Sequence, residues 1–189
     1  MNGETLTRSQ AARRERVIEA AMTLAAEGGY DAVQMRDVAA TAQVALGTIY
    51  RYFSSKDHLL AATLVEWTKD LQRRLAQRPP RGDTPADRVV DVVRRATRAI
   101  ERQPQLASAM VTAVSAPDPA VSECQQEITV VMTDVLSVPM DGLDADLRLR
   151  VVRVLSHVWY SSLLGWVNGW AYIGDVGDEL ESAARLLLR

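Results

Sequence analysis

The chain has a single cysteine, Cys124, in 189 residues, which excludes an intrachain disulfide and a cysteine-based zinc cluster. Its two histidines, His58 and His157, lie far apart in sequence and give no metal-ligand spacing. Neither belongs to a recognisable catalytic set, because a nucleophile needs a base within hydrogen-bond reach and a third group to orient that base. His157 therefore reads as interface or pocket lining, and no enzyme activity, cofactor or metal is expected. The sequence also lacks a signal peptide pattern, since no apolar run follows Glu4, Arg8 and Arg13. A reducing, cytoplasmic setting fits. Residues 154–174 carry no Asp, Glu, Lys or Arg, but Ser156, His157, Ser161, Ser162 and Asn168 interrupt them. A spanning helix needs about 20 predominantly apolar residues, so no membrane partner is expected.

A strongly basic balance is missing too: the net charge is -2. That does not exclude nucleic acid, because a small module can bind DNA while the remainder is acidic, and local placement decides. Arg8, Arg13, Arg14 and Arg16 crowd the start of the chain, and Arg36, Arg51 and Lys56 follow. The hydrophobic fraction of 48% and charged fraction of 24% are ordinary for an ordered globular chain able to bury a core.

Strand-like alternation and Asn-Gly or Asp-Gly hairpin signals between such runs are absent, and helix formers dominate, which predicts an all-α fold. The pattern gives nine helices. The first covers 9–27, with Val17, Ala21 and Leu24 inward and Gly28-Gly29 ending it. Short helices at 35–42 and 45–53 flank Gln43-Val44. Ser55 caps a helix over 56–77. Thr84-Pro85 opens another that stops before Pro104, by the cap-then-proline rule. Further helices are expected at 105–114, 120–136, 144–170 and 178–188. The helices group into an N-terminal arm with short helices over 1–54 and a larger helical region over 55–189, with 55–77 connecting.

The informative stretch runs from Gly29-Tyr30 to Ser55-Lys56. Two short helices joined by a tight turn can place the second in a major groove. Val38, Ala39, Val44, Ile49 and Phe53 are spaced to pack them together, leaving Leu46, Gly47, Thr48, Tyr50 and Arg51 outward. Tyr50 and Tyr52 could instead be core aromatics, although Ile49 and Phe53 already supply a packing face. Gly47-Thr48-Ile49-Tyr50-Arg51-Tyr52-Phe53-Ser54-Ser55-Lys56 resembles the TetR family signature. The resemblance covers about 9–64 and implies a TetR-like fold and a homodimeric repressor that binds double-stranded operator DNA. It implies phosphate contacts from Thr48, Tyr50, Tyr52 and Lys56, and close backbone approach at Gly47. Ala45, Leu46, Gln34 and Arg36 remain to read base edges, with Arg51 on the same face. Gln43 and Gln34 depart from the family's usual turn glycine and cap threonine. Residues 28–36 and 44–53, together with 156–166, are similar to the KstR-like subgroup, the actinobacterial repressors of cholesterol catabolism. That implies a lipophilic small-molecule effector, a steroid or steroid-derived acyl-CoA. A regulator of a drug efflux pump is the alternative within the class, and an acyl-group-handling helical enzyme is the alternative outside it.

For the effector, Val89, Val93, Ile100, Leu106, Met110, Val114, Ile128, Met132 and Trp159 form an apolar set with adaptable methionines; the same residues would serve as plain core. Arg94, Arg95, Arg98 and Arg102 share one helix and are candidates for coenzyme A phosphates. Trp159, Ser162, Gly165, Trp166, Gly169, Leu180 and Leu187 are either core or, as the family resemblance implies, a two-fold helical dimer contact.

Overall fold

The computed structural model describes residues 7–189; residues 1–6 of the expected N-terminal arm, including Glu4, lie outside them. Among the described residues there are nine α-helices and no strand: α1 (Arg8–Ala32), α2 (Met35–Ala42), α3 (Leu46–Tyr50), α4 (Lys56–Gln77), α5 (Pro85–Arg102), α6 (Pro104–Val114), α7 (Pro119–Ser137), α8 (Ala145–Val167) and α9 (Ile173–Leu187), with a 3₁₀ turn at Val138–Met140. The chain forms two compact units. One comprises Met1–Leu64 with Gln105–Cys124, described from Thr7; the other comprises Val65–Pro104 with Gln125–Arg189.

In the first unit α1 packs on α2, and α2 on α3. Thr7 caps α1 with a reciprocal Thr7–Gln10 box. The helical run reaches Ala32, but Gly28 and Gly29 leave helical geometry, Gly29 at φ +70, so the glycine pair breaks it where the sequence predicts. Val17, Ala21, Val33, Val38, Ile49, Phe53, Leu59 and Leu60 are buried, and Leu24 is half-buried. Between α2 and α3, Gln43 takes the left-handed conformation at φ 54, ψ 49. Its N–H donates to the Ala40 carbonyl at 3.2 Å and that of Val44 to Ala39 at 3.0 Å, which closes α2 in a Schellman motif. Ser55 caps α4 as expected, its Oγ accepting from the His58 N–H at 3.0 Å.

A clamp joins the end of α1 to the start of α4. The Tyr30 hydroxyl donates to Asp57 Oδ1 at 2.6 Å. Lys56 Nζ lies 3.7 Å from the centre of the Tyr30 ring and donates to the Tyr30 carbonyl at 3.2 Å. Burial, then the hydrogen bond to Asp57, pushes the Tyr30 pKa from 10.0 up to about 12.

In the second unit α9 packs on both α5 and α8. Thr84 and Asp87 form a capping box at the start of α5, with Pro85 in the first turn. Val89, Val92, Val93, Ala96, Val135, Leu136, Met140, Val152, Leu155, Trp159, Val176 and Leu180 share one buried cluster. Arg185 joins Asp87 and Glu181, and Glu181 joins Arg94, which ties α9 to α5 at the surface. Against the desolvation that would raise it, Arg185 and Arg94 hold the Glu181 carboxyl below its usual range. The final helix begins earlier than its sequence suggests. Asp175 accepts the Tyr172 N–H at 2.8 Å and so secures an entry that Gly174 and Gly177 obscure. The helix before it ends sooner, because Gly169 at φ +79 turns the chain and the N–H groups of Trp170 and Ala171 both return to the Gly165 carbonyl.

Two outcomes follow from these local geometries. Gln43→Gly removes a left-handed side-chain penalty and should raise unfolding stability by about 0.5–1 kcal/mol in urea denaturation. Because the Tyr30 pKa is raised on folding, its contribution to stability is full below pH 10 and is lost as the pH climbs from 10.0 through about 12. Asp57→Asn should bring the Tyr30 phenolate titration, followed at 295 nm and identified by its loss in Tyr30→Phe, down from about 12. An unchanged titration would mean that the hydrogen bond plays no part in the shift.

Candidate functional site

Of the residues around α3 expected to pack, Val44 is only half-buried, and of those expected to face outward, Leu46 and Thr48 are half-buried while Gly47, Tyr50 and Arg51 are exposed. Ile49 and Phe53 are buried, and Tyr52 stacks at a tilt on Phe53 with centroids 6.3 Å apart. Arg14 from α1 lies 5.4 Å over the same Phe53 ring, and His58 meets its edge at 5.4 Å. On the other side Gln34, Arg36, Ala45, Gly47, Tyr50 and Arg51 are exposed, while Leu46, Thr48, Tyr52 and Lys56 are half-buried. Tyr50 leaves 52% of its surface open. A Cβ built on Gly47 would meet nothing within 4 Å. The fold thus has room for a side chain there and gives no internal reason for glycine.

Three details were not read from the sequence. Gln34 precedes α2 without capping it, and its amide instead donates to the Asp31 carbonyl at 3.0 Å. His58 Nδ1 accepts the Ser54 N–H at 3.1 Å, which pins the turn after α3. Burial pushes its pKa down, with Asp118 opposing. Lys56 has protein partners in Tyr30, whereas the family resemblance implied a phosphate contact for it. The Gly29-Tyr30 and Ser55-Lys56-Asp57 pairs were visible, but nothing in their spacing showed that they meet.

The expected effector residues divide between the two units. Leu106, Met110 and Val114 are buried in the first; Val89, Val93, Ile100 and Trp159 are buried in the second, where Ile128 and Met132 are half-buried. Trp159 is 6% exposed, and its Nε1 has no hydrogen-bond partner among the described residues. A polar cleft of about 130 Å³ between α5 and α9 is lined by Arg94, Thr97, Arg98, Glu101, Gly174, Gly177 and Asp178. The candidate phosphate ligands are partly committed: Arg94 pairs with Glu181 at 2.5 Å, and Arg95 pairs with Asp91 and donates to the Arg78 carbonyl at 2.6 Å. Arg98 and Arg102 are exposed.

The residues expected at the dimer contact are placed differently from one another within the protomer. Trp159 and Leu180 are buried in the protomer's own core, and Ser162 is buried too, engaged with the Val158 carbonyl and the Glu179 carboxylate. Gly165 is covered by the Trp170 ring, which a Cβ would meet at 3.0 Å. Trp166 and Leu187 are half-buried and Gly169 is exposed. The exposed large apolar side chains of the second unit are Val130, Val138, Leu147, Leu149, Val154, Tyr160, Trp170, Tyr172 and Leu186, of which the last seven lie on α8, α9 and their connection. No helix among the described residues is long and apolar enough to cross a membrane.

The chain is similar in sequence and architecture to known proteins. The profile of the tetracyclin repressor-like C-terminal domain matches residues 82–187, and that of bacterial regulatory proteins of the tetR family matches residues 17–63. Over 181 residues the chain is 38% identical to the HTH-type transcriptional repressor KstR of Mycobacterium tuberculosis, covering 95% of this chain and 82% of that protein. A TetR transcriptional regulator from Rhodococcus sp. RHA1 superposes with a TM-score of 0.79 at 32% identity over 96% of this chain and 98% of its own. Thermus thermophilus FadR, a TetR family repressor crystallised with lauroyl-CoA, does so with a TM-score of 0.69 at 26% identity over 93% of each. With its helix-turn-helix intact and a family domain matching on either side of residue 64, the chain belongs to the TetR family as a DNA-binding transcriptional repressor similar to KstR.

Proposed function

We propose that this repressor holds its operator through the outward side of α3 and releases it on binding a lipophilic effector, a steroid or a steroid-derived acyl-CoA. The observation that carries the DNA half is Gly47. It is exposed, it has open space around its Cβ position, and no φ demand requires glycine there. Close approach of a phosphate backbone is a reason the isolated fold does not supply. Thr48, Tyr50 and Tyr52 then position the helix on phosphates, and Ala45, Leu46, Gln34, Arg36 and Arg51 face the bases and their flanks. Lys56 reaches a phosphate by leaving Tyr30, or else serves the clamp alone. The effector half is supported by the KstR-like sequence of residues 28–36, 44–53 and 156–166, by the identity to KstR, and by the lauroyl-CoA in Thermus thermophilus FadR. The division of labour is a DNA-binding domain over 1–54 and an effector and dimer domain over 55–189. The dimer face is the exposed apolar set on α8, α9 and their connection, since solvent-facing Trp170 at 71% and Tyr172 at 82% gain most from being covered by a second copy.

Gly47→Ala should leave the fold intact or stabilise it by up to about 1 kcal/mol through helix propensity, yet weaken binding to the tightest duplex selected from a random pool. Tyr50→Phe should weaken it as well. Being neutral, Tyr50 should leave the slope of affinity against salt unchanged, while the wild-type affinity falls steeply with salt. Full affinity in Gly47→Ala would remove the close-approach argument. For the dimer, Leu186→Arg should shift the sedimenting species toward monomer at micromolar concentration while the helical circular dichroism is retained. A wild-type monomer under those conditions would overturn the two-fold reading.

A further inference from the structure

The indole N–H of Trp159 is an anomaly of the second unit. Buried tryptophan N–H groups usually find an acceptor, because desolvating a donor without one is costly. Trp159 is 6% exposed, and its Nε1 has no partner among the described residues. The surroundings do not offer one. Trp159 shares its cluster with Val89, Val93, Val152, Leu155, Val176 and Leu180, which carry no side-chain acceptor. Ser162, a turn further along α8, uses its hydroxyl as a donor toward the Val158 carbonyl and the Glu179 carboxylate, and its oxygen does not accept from Nε1. An apolar enclosure is also a poor place for a bridging water, which needs two or more polar partners.

A fold that needed only an aromatic ring at this position would be served by phenylalanine without the penalty. We infer that Trp159 donates its indole N–H to a carbonyl oxygen carried by an otherwise apolar effector, so that it, rather than the arginines of α5, fixes which lipophilic skeletons are accepted. This rests on the effector reading proposed above and assigns its polar specificity to one atom. Half-buried, adaptable neighbours at the margin of the cluster, Met132, Trp67, Leu163 and Trp166, can yield to admit a skeleton. The acceptor belongs to the thioester of an acyl-CoA or to a ring ketone, and both present the same oxygen to the same donor.

The experiment pairs ligands that differ by that oxygen: lauroyl-CoA against its thioether S-dodecyl-CoA, and a steroid ketone against the same steroid with a methylene in its place. Binding is measured calorimetrically on wild type and on Trp159→Phe. The wild type should prefer the carbonyl member of at least one pair by about tenfold, and the variant should bind both members equally. The pair that discriminates identifies the source of the oxygen. Among the four tryptophan indole resonances of the 15N-labelled wild type, one should move downfield with the carbonyl ligand and stay in place with its twin. That measurement stands even where the variant folds poorly. Unliganded Trp159→Phe should unfold within a few degrees of wild type, because loss of an unpartnered donor offsets the smaller ring. Equal discrimination in both proteins, no indole shift, or dissociation of the dimer in the variant would each overturn the inference while leaving the effector reading in place. Failure of every panel member to bind wild type would overturn the effector reading and this inference with it.

Discussion

A helix as short as Leu46–Tyr50 has no stability of its own in water, where nucleation is unfavourable and marginal helices need about 12–15 residues. It exists because Ile49 and Phe53 are buried, and the DNA contacts proposed for its outward side depend on that burial. Phe53 is held on several sides, by Tyr52, by the edge of His58 and by the guanidinium of Arg14. His58 in turn fixes the Ser54 N–H that follows. The short helix is thus held from its inner side by its neighbours, which leaves Gly47, Tyr50 and Arg51 exposed on its outer side. Such an arrangement lets residues be chosen for a ligand alone, and Gly47, with unfilled space beside it, is the position on which the proposed close approach to DNA rests.

The local rules made most of this legible. Helix boundaries at 35–42, 56–77 and 85–102 could be read because each is set by short-range chemistry: Ser55 and Thr84 as caps, Pro85 in a first turn, and Gln43 and Pro104 at ends. The α3 periphery was legible for the same reason, since apolar spacing assigns a packing side directly. Where the reading failed, the deciding contact was distant in sequence or the local signal was mixed. Glycines at 174 and 177 hid a helix start that Asp175 secures. The pairing of Tyr30 with Lys56 and Asp57 spans 26 and 27 residues, and no periodicity reports it.

Helix α8 shows why core and interface could not be separated from sequence. Val152, Leu155, Trp159 and Ser162 face the protomer's own core, while Val154, His157, Tyr160 and Ser161 are exposed. A helix apolar on both sides has a weak amphipathic signal, so its tryptophans could be assigned to either side with equal right. The structure resolves the matter one residue at a time: Trp159 goes inward, Trp166 lies between, and Trp170 folds back over Gly165 with most of its ring still open to solvent.

Repression that responds to an effector needs more than two sites; it needs each ligand to prefer a different state of one equilibrium. Chain continuity supplies a route for such a preference. Helix α4 contributes Lys56 and Asp57 to the clamp in the first unit, and Leu71 and Leu75 to the buried cluster of the second. If the proposed effector releases DNA, the coupling is reciprocal by thermodynamic necessity, so operator DNA would weaken effector binding by the factor through which the effector weakens DNA binding. A clamp built from a hydrogen bond, a carbonyl contact and a cation over a ring suits this role, because each contact is modest and can be exchanged for another partner, for Lys56 a phosphate, without unfolding the unit that carries it.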